Sequence, residues 1–96
     1  MFNRMLLAAD AAQDLPEGNE NRVFGQQIRE NIQSHREWTV QVQRLTRRIQ
    51  TIRCPADLQR LLTDIEQASS RARTHLALAY NVSNIIIEEL NLELEG

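Results

Sequence analysis

Apolar side chains recur at alternating spacings of three and four residues from Phe24 to Ile52. The residues between these positions are mainly Gln, Arg, Glu and Thr, which suit a solvated surface. Such a heptad pattern predicts a long helix that packs against a partner helix along one stripe. We call this stripe the seam, and on this helix it comprises Phe24, Ile28, His35, Trp38, Val42, Leu45 and Ile49, with Asn31 and Ile52 at the remaining heptad positions.

Pro55 interrupts this helix. A proline disfavours helical geometry at the preceding residue, here Cys54, but it is well suited to the first position of a new helix. We therefore predict a turn at residues 53–56, followed by a second helix from about residue 55 to 94. Asp57 would then lie in the first turn of this helix, near the positive end of its dipole.

A turn this short predicts that the two helices lie side by side and antiparallel. A hairpin centred on Pro55 pairs residues whose numbers sum to about 110. Leu45 then meets Ile65, and Trp38 meets Ala72, so that a large side chain lies opposite a small one. Ile65 and Ala72 complete the predicted seam.

The N-terminal residues 1–18 are predicted to form a short helix and a linker. The apolar residues of the helix fit one face, and they are Phe2, Met5, Leu6 and Ala9. Pro16 and Gly18 then mark an exposed break. With 4% aromatic residues, 2 Pro and 3 Gly, the chain is poor in what a β-sandwich or barrel needs. The predicted fold is all-α, a coiled-coil-like antiparallel two-helix hairpin over residues 19–96 after this short helix.

The second helix carries more apolar surface near its end than one partner helix covers. Consecutive apolar residues point around a helix, and this group comprises Ile85, Ile86, Ile87, Leu90, Leu92 and Leu94. One explanation is that the N-terminal segment folds back through Phe2 and Leu6 as a third helix. The explanation that we favour is that all these residues, Phe2 and Leu6 included, contact other subunits or a partner chain.

Charge is unevenly distributed along the chain. Residues 44–73 hold seven Arg against three acidic residues, whereas residues 74–96 hold four Glu and no Arg. Solvated helix faces explain this pattern most simply, and head-to-tail attraction between copies is the alternative. The net charge of −2 argues against a nucleic-acid partner. No apolar run of about 20 residues is present, so we predict no transmembrane segment.

Few residues suggest a chemical site. His35 and His75 face each other in the predicted register and could share a metal or a pH-dependent contact, but no Cys, Asp or Glu stands at a matching position. Hydrogen-bonded seam residues are the preferred interpretation. Cys54 is the single cysteine, which excludes a disulfide framework, and no His lies near it in sequence to complete a catalytic set. We expect no catalytic residue, cofactor or metal, and hence no enzyme.

The chain resembles the needle and inner-rod subunits of bacterial type III secretion systems over about residues 23–96. The similarity rests on Pro55 followed by Leu58 and Leu61, with Leu62 where the family usually has Gln. The resemblance implies a self-assembling subunit with intersubunit contacts through Ile86, Ile87, Leu90 and Leu94. It also implies a bacterial protein, either cytoplasmic before export or assembled in the cell envelope.

Two other resemblances leave the function open. The long heptad-bearing first helix is similar to that of the cytosolic hairpin chaperones that shield needle subunits in these systems. A weaker similarity is to phasins, helical proteins that coat polyester granules. The partner is accordingly expected to be a protein, either another copy of the chain or a secretion-system subunit.

Overall fold

The computed structural model of the chain describes residues 2–92, and these residues form three α-helices and no strand. Helix α1 spans Phe2–Gln13, α2 spans Asn21–Arg48 and α3 spans Pro55–Glu89, with a 3₁₀ turn over Ile49–Thr51 between α2 and α3. The predicted all-α class is confirmed. The Cα atoms fill a flat rod of 56 × 30 × 14 Å.

Helix α3 begins at Pro55 because the residue before it is extended. Cys54 has φ −100° and ψ 128°, which is the geometry that a following proline favours. Pro55 occupies the first turn, where its missing N–H costs no helical hydrogen bond, and Asp57 lies in the same turn.

Helix α3 ends at Glu89, earlier than the residue 94 that the sequence pattern predicts. Asn91 adopts a left-handed conformation with φ 50°. The amide N–H of Leu92 donates to the carbonyl of Ile87 at 3.0 Å, and that of Asn91 donates to the carbonyl of Glu88 at 3.2 Å. This pair of hydrogen bonds is a Schellman motif, in which a left-handed residue closes the last turn and stops the helix.

Contacts between α2 and α3 run in opposite residue order. Asn31 contacts His75 and His35 contacts Ala72, while further along α2 the ring of Trp38 lies under Arg71. At Asn31 the partner lies about one helical turn earlier in α3 than a register centred on Pro55 predicts. The reason is that the connection occupies residues 49–54, so that its centre falls before the proline.

The larger hydrophobic core lies where all three helices meet. Its buried residues are Met5, Ala8, Ala9 and Ala12 of α1, Ile28 and Ile32 of α2, and Ala79 and Ile86 of α3. Ile32 is absent from the predicted seam, which has Asn31 at the heptad position. Ile32 is only 2% exposed because α1 gives α2 a second packing face beside α3.

A smaller core lies between α2 and α3 near the turn. Leu45, Leu61 and Ala68 are buried there, and the partly buried residues around them are Trp38, Val42, Ile52 and Ile65. Ile49, predicted to lie in the seam, is instead 37% exposed. The prediction fails because α2 ends at Arg48 and the 3₁₀ turn, with fewer residues per turn, changes the direction in which the next side chain points.

Helices α1 and α2 approach each other closely at Gly25. A Cβ atom at this position would lie 2.9 Å from the carbonyl oxygen of Ala9 and 3.0 Å from the Cβ of Ala12. Only glycine leaves room for so close a contact, because any side chain would overlap the backbone of α1. The small residues on both helices therefore determine how near α1 lies to the core.

Candidate protein-interaction surface

The structure covers most of the apolar residues that were predicted to contact other chains. Ile86 is fully buried in the larger core, and the predicted interaction residues packed partly buried against that core are Phe2, Leu6, Ile87, Leu90 and Leu92. The prediction that Ile86 forms an intersubunit surface is therefore wrong for the folded chain. The alternative explanation, in which the N-terminal segment folds back as a third helix, accounts for this burial. Leu94 lies outside the described residues.

Two polar contacts and one aromatic contact hold α1 in place. The guanidinium of Arg4 donates to Asn84 Oδ1 at 3.1 Å, and Arg29 pairs with Asp10. At the start of α1, the ring of Phe2 lies 5.7 Å from the ring of His35, measured between centroids. Both polar contacts are exposed, so each stabilises the folded chain by at most about 1 kcal/mol. Burial of the apolar face is the main attraction between α1 and the other helices.

Helix α3 keeps one apolar flank that α1 does not cover. Leu78 and Ile85 are 45% and 42% exposed, and their separation of seven residues places them on the same side of the helix. We call this pair the α3 flank. Ile85 was predicted as an interaction residue, and the structure leaves it accessible. Leu78 is absent from the predicted interaction residues, although its seven-residue spacing to Ile85 indicates a shared face of the helix.

The two histidines do not face each other. His35 Nδ1 lies 2.8 Å from the carbonyl oxygen of Ala72, and His75 Nδ1 lies 2.9 Å from Asn31 Oδ1. Both partners are acceptors, so each Nδ1 carries the proton and donates. Asn31 in turn donates from Nδ2 to the carbonyl of Gln27 at 2.9 Å. Both histidines thus donate hydrogen bonds within the seam. His35 lies one helical turn from Asn31, the partner of His75, and His75 lies one turn from Ala72, the partner of His35.

The ring of Trp38 is half-buried against the smaller core, and it also lines a surface depression. The guanidinium carbon of Arg71 lies 4.8 Å from the centroid of its ring, which is a cation–π contact. Gln41, Asp64 and Gln67 line the same depression. The contact places the guanidinium of Arg71 beside a seam residue.

Cys54 is an exposed free thiol at the start of α3. Within residues 2–92, no three His, Cys, Asp or Glu side chains lie close enough together to hold a metal ion. The buried hydroxyl of Ser83 donates to the carbonyl of Ala79 at 2.6 Å, so it is satisfied within its own helix.

Exposed apolar and charged side chains are therefore what the described surface offers to another molecule. No helix among residues 2–92 combines the length and the apolar character that crossing a membrane requires. Comparisons of the chain with protein-family models, with curated proteins and with solved structures find no match.

Proposed function

We propose that the chain is a structural protein that assembles with copies of itself, as an inner-rod or needle-like subunit of a bacterial type III secretion apparatus does. The sequence resemblance around Pro55, Leu58 and Leu61 supports this assignment. The observation that carries self-association is the α3 flank, where Leu78 and Ile85 stay exposed although the neighbouring Ile86 is fully buried. Large apolar side chains at helical spacing on one surface are typical of a protein contact.

The proposal includes an antiparallel hairpin as the framework of the subunit. The order of the contacts between α2 and α3 supports it, because residue numbers fall along α3 as they rise along α2. In such a hairpin α1 covers one side of the helix pair near the end of α3. The α3 flank lies on a side that α1 leaves free, so a second copy can reach it without unfolding the first.

The mass of the purified chain over a concentration series tests the proposal. We expect light scattering after gel filtration to show oligomers that grow with concentration, and electron microscopy of the heaviest fraction to show filaments or rings. Assemblies of the double variant Leu78→Glu/Ile85→Glu should be smaller than those of the parent chain, because two carboxylates would be desolvated in the contact. Ala77→Glu, at an exposed position on the same helix, is the matched control and should assemble like the parent.

Two results of this experiment would count against the proposal. A chain that stays monomeric at all concentrations contradicts self-assembly, whereas a double variant that assembles as well as Ala77→Glu shows that the α3 flank does not carry it. Deleting residues 85–96 is a poorer test, because it removes the buried Ile86 together with the accessible Ile85.

A chaperone or adaptor of a secretion subunit is the second candidate. It is favoured by the coverage of the apolar end of α3 within the described residues, since Ile86 and the side chains packed around it are then held within one copy. This candidate predicts a monomer or dimer of constant mass. It also predicts that the chain binds one partner stoichiometrically and that Leu78→Glu/Ile85→Glu weakens this binding.

A further inference from the structure

The end of the rod at the turn between α2 and α3 is positively charged. Residues 44–64 contain five arginines and two aspartates, and all seven side chains are exposed. We call these arginines the basic end, and they are Arg44, Arg47, Arg48, Arg53 and Arg60. Arg60 lies 3.8 Å from Asp57. Among the described residues, it is the one arginine of this group that has an ion-pair partner. The basic end therefore carries an excess of positive charge towards solvent.

The opposite end of the rod collects carboxylates from two separate stretches of chain. Asp10 pairs with Arg29 and Phe2 packs on His35, so α1 runs antiparallel to α2 and the linker at residues 14–20 lies at the start of α2. The last turn of α3 reaches the same end, because Leu90 packs against the core that Phe24 joins. We call the carboxylates there the acidic end, and they are Asp14, Glu17, Glu20, Glu88 and Glu89, all exposed.

The fold, more than the order of the sequence, creates this second charged end. By sequence, the N-terminal acidic residues and those of α3 are about 70 residues apart, and only the return of α1 and α2 brings them together. Arg22 is the arginine that lies within residues 14–22, and it is half-buried. Along the 56 Å axis, the two ends are many Debye lengths apart, since this length is about 8 Å at physiological salt. The two ends of one molecule therefore do not neutralise each other.

We propose that the acidic end of one copy docks on the basic end of the next, so that copies associate head to tail. The occupant that this surface selects is a second copy of the chain, because that copy presents the complementary charge on its opposite end. Each end also exposes apolar side chains beside its charges, Ile49 and Leu62 at the basic end and Val23 at the acidic end. A contact between two different surfaces does not close on itself by twofold symmetry, and it continues as an open row unless the rotation between copies closes a ring.

This inference rests on the proposed self-assembly and specifies its axial contact. It differs from the α3 flank, which is a lateral surface. Exposed ion pairs each contribute modestly and are screened by salt. The axial contact should therefore weaken when sodium chloride is raised from about 0.05 to about 0.5 M.

A charge-swap experiment tests the docking. The first variant reverses the basic end with Arg44→Glu, Arg47→Glu and Arg53→Glu, and the second reverses the acidic end with Asp14→Arg, Glu17→Arg and Glu88→Arg. Loss of three exposed pairs should weaken self-association of each variant roughly tenfold or more at low salt. An equimolar mixture of the two variants should regain association, because each supplies the charge that the other has lost.

Sedimentation velocity at low and high salt provides the measurement, and helical circular dichroism verifies that both variants are folded. Arg73→Glu changes an exposed charge midway along α3 and should leave association unchanged. If the parent chain assembles and either reversed variant assembles equally well, head-to-tail docking is refuted while self-assembly stands. Folded variants whose mixture does not associate refute it as well. A parent chain that remains monomeric at low salt refutes both the docking and the proposed self-assembly.

Discussion

Gly25→Ala reports directly on whether α1 packs against α2. A helix interior normally gains about 1 kcal/mol when glycine is replaced by alanine, because the backbone loses less conformational freedom on folding. In the folded chain, however, the new Cβ would lie 2.9 Å from the carbonyl oxygen of Ala9, 3.0 Å from the Cβ of Ala12 and 3.2 Å from the Cγ of Gln13. The first of these neighbours is backbone and can yield only if α1 moves.

The two effects have opposite signs, so the sign of the change is the test. Overpacking of a tight contact costs about 1–3 kcal/mol, and displacement of α1 also loosens the buried Met5 and Ile86. We expect the cost to exceed the gain in helix propensity, with a net loss of about 1–2 kcal/mol in the free energy of unfolding. Were α1 detached from α2 in solution, only the propensity term would remain, and the variant would be more stable than the parent.

Urea unfolding followed by circular dichroism at 222 nm measures this free energy, at a protein concentration low enough to keep the chain monomeric. Asn81→Ala is a suitable control, because Asn81 is an exposed position of α3 and should gain a few tenths of a kcal/mol from helix propensity alone. A stabilisation of Gly25→Ala similar to or larger than that of the control would refute the close packing of α1. Hydrogen exchange of the α1 amides adds a second readout, since displacement of α1 should make them exchange faster.

Six further substitutions at five positions test other parts of the fold, all but Arg71→Ala by the same unfolding measurement. Ile86→Ala should cost about 3 kcal/mol because its side chain is fully buried, whereas Ile85→Ala should change stability by less than about 0.5 kcal/mol; equal losses would contradict the placement of α3. Asn91→Gly should stabilise the chain by about 0.5–1 kcal/mol and Asn91→Val should destabilise it, because φ is 50° at this position; the reverse order would exclude the left-handed end of α3. Trp38→Ala should lower the free energy of unfolding by about 2 kcal/mol, because the ring is only half-buried. Arg71→Ala should alter the tryptophan fluorescence, because it removes the cation–π contact.

The sequence pattern predicts the helices well and their burial less well. Pro55 specifies where α3 begins, because a residue with fixed φ and no N–H suits only the first turn of a helix. The end of α3 was harder to predict, since the apolar residues continue beyond Glu89 and the left-handed Asn91 has no strong signal in the sequence. The heptad pattern also missed Ile32, whose burial requires a third helix that a two-helix pattern does not include.

The candidate surface was predicted in part. Clustering of apolar residues at 85–92 was evident from the sequence, but three consecutive isoleucines point in three directions and the pattern alone does not say which one is covered. The structure buries Ile86, half-buries Ile87 and leaves Ile85 exposed, because α1 and α2 occupy two sides of this part of α3. The sequence similarly located the basic residues 44–73, yet it could not show that Arg71 turns to the ring of Trp38.

The amino-acid sequence by itself determined the helices of this protein apart from the end of α3, because helix periodicity, proline geometry and the scarcity of glycine act over a few neighbouring residues. Tertiary structure alone decided which apolar residues remain available and where the charges meet. Gly25 lets α1 approach α2, α1 then covers Ile86, and the returning chain gathers Asp14 and Glu88 at one end of the rod. These features depend on contacts between residues far apart in the chain, and no local preference specifies them.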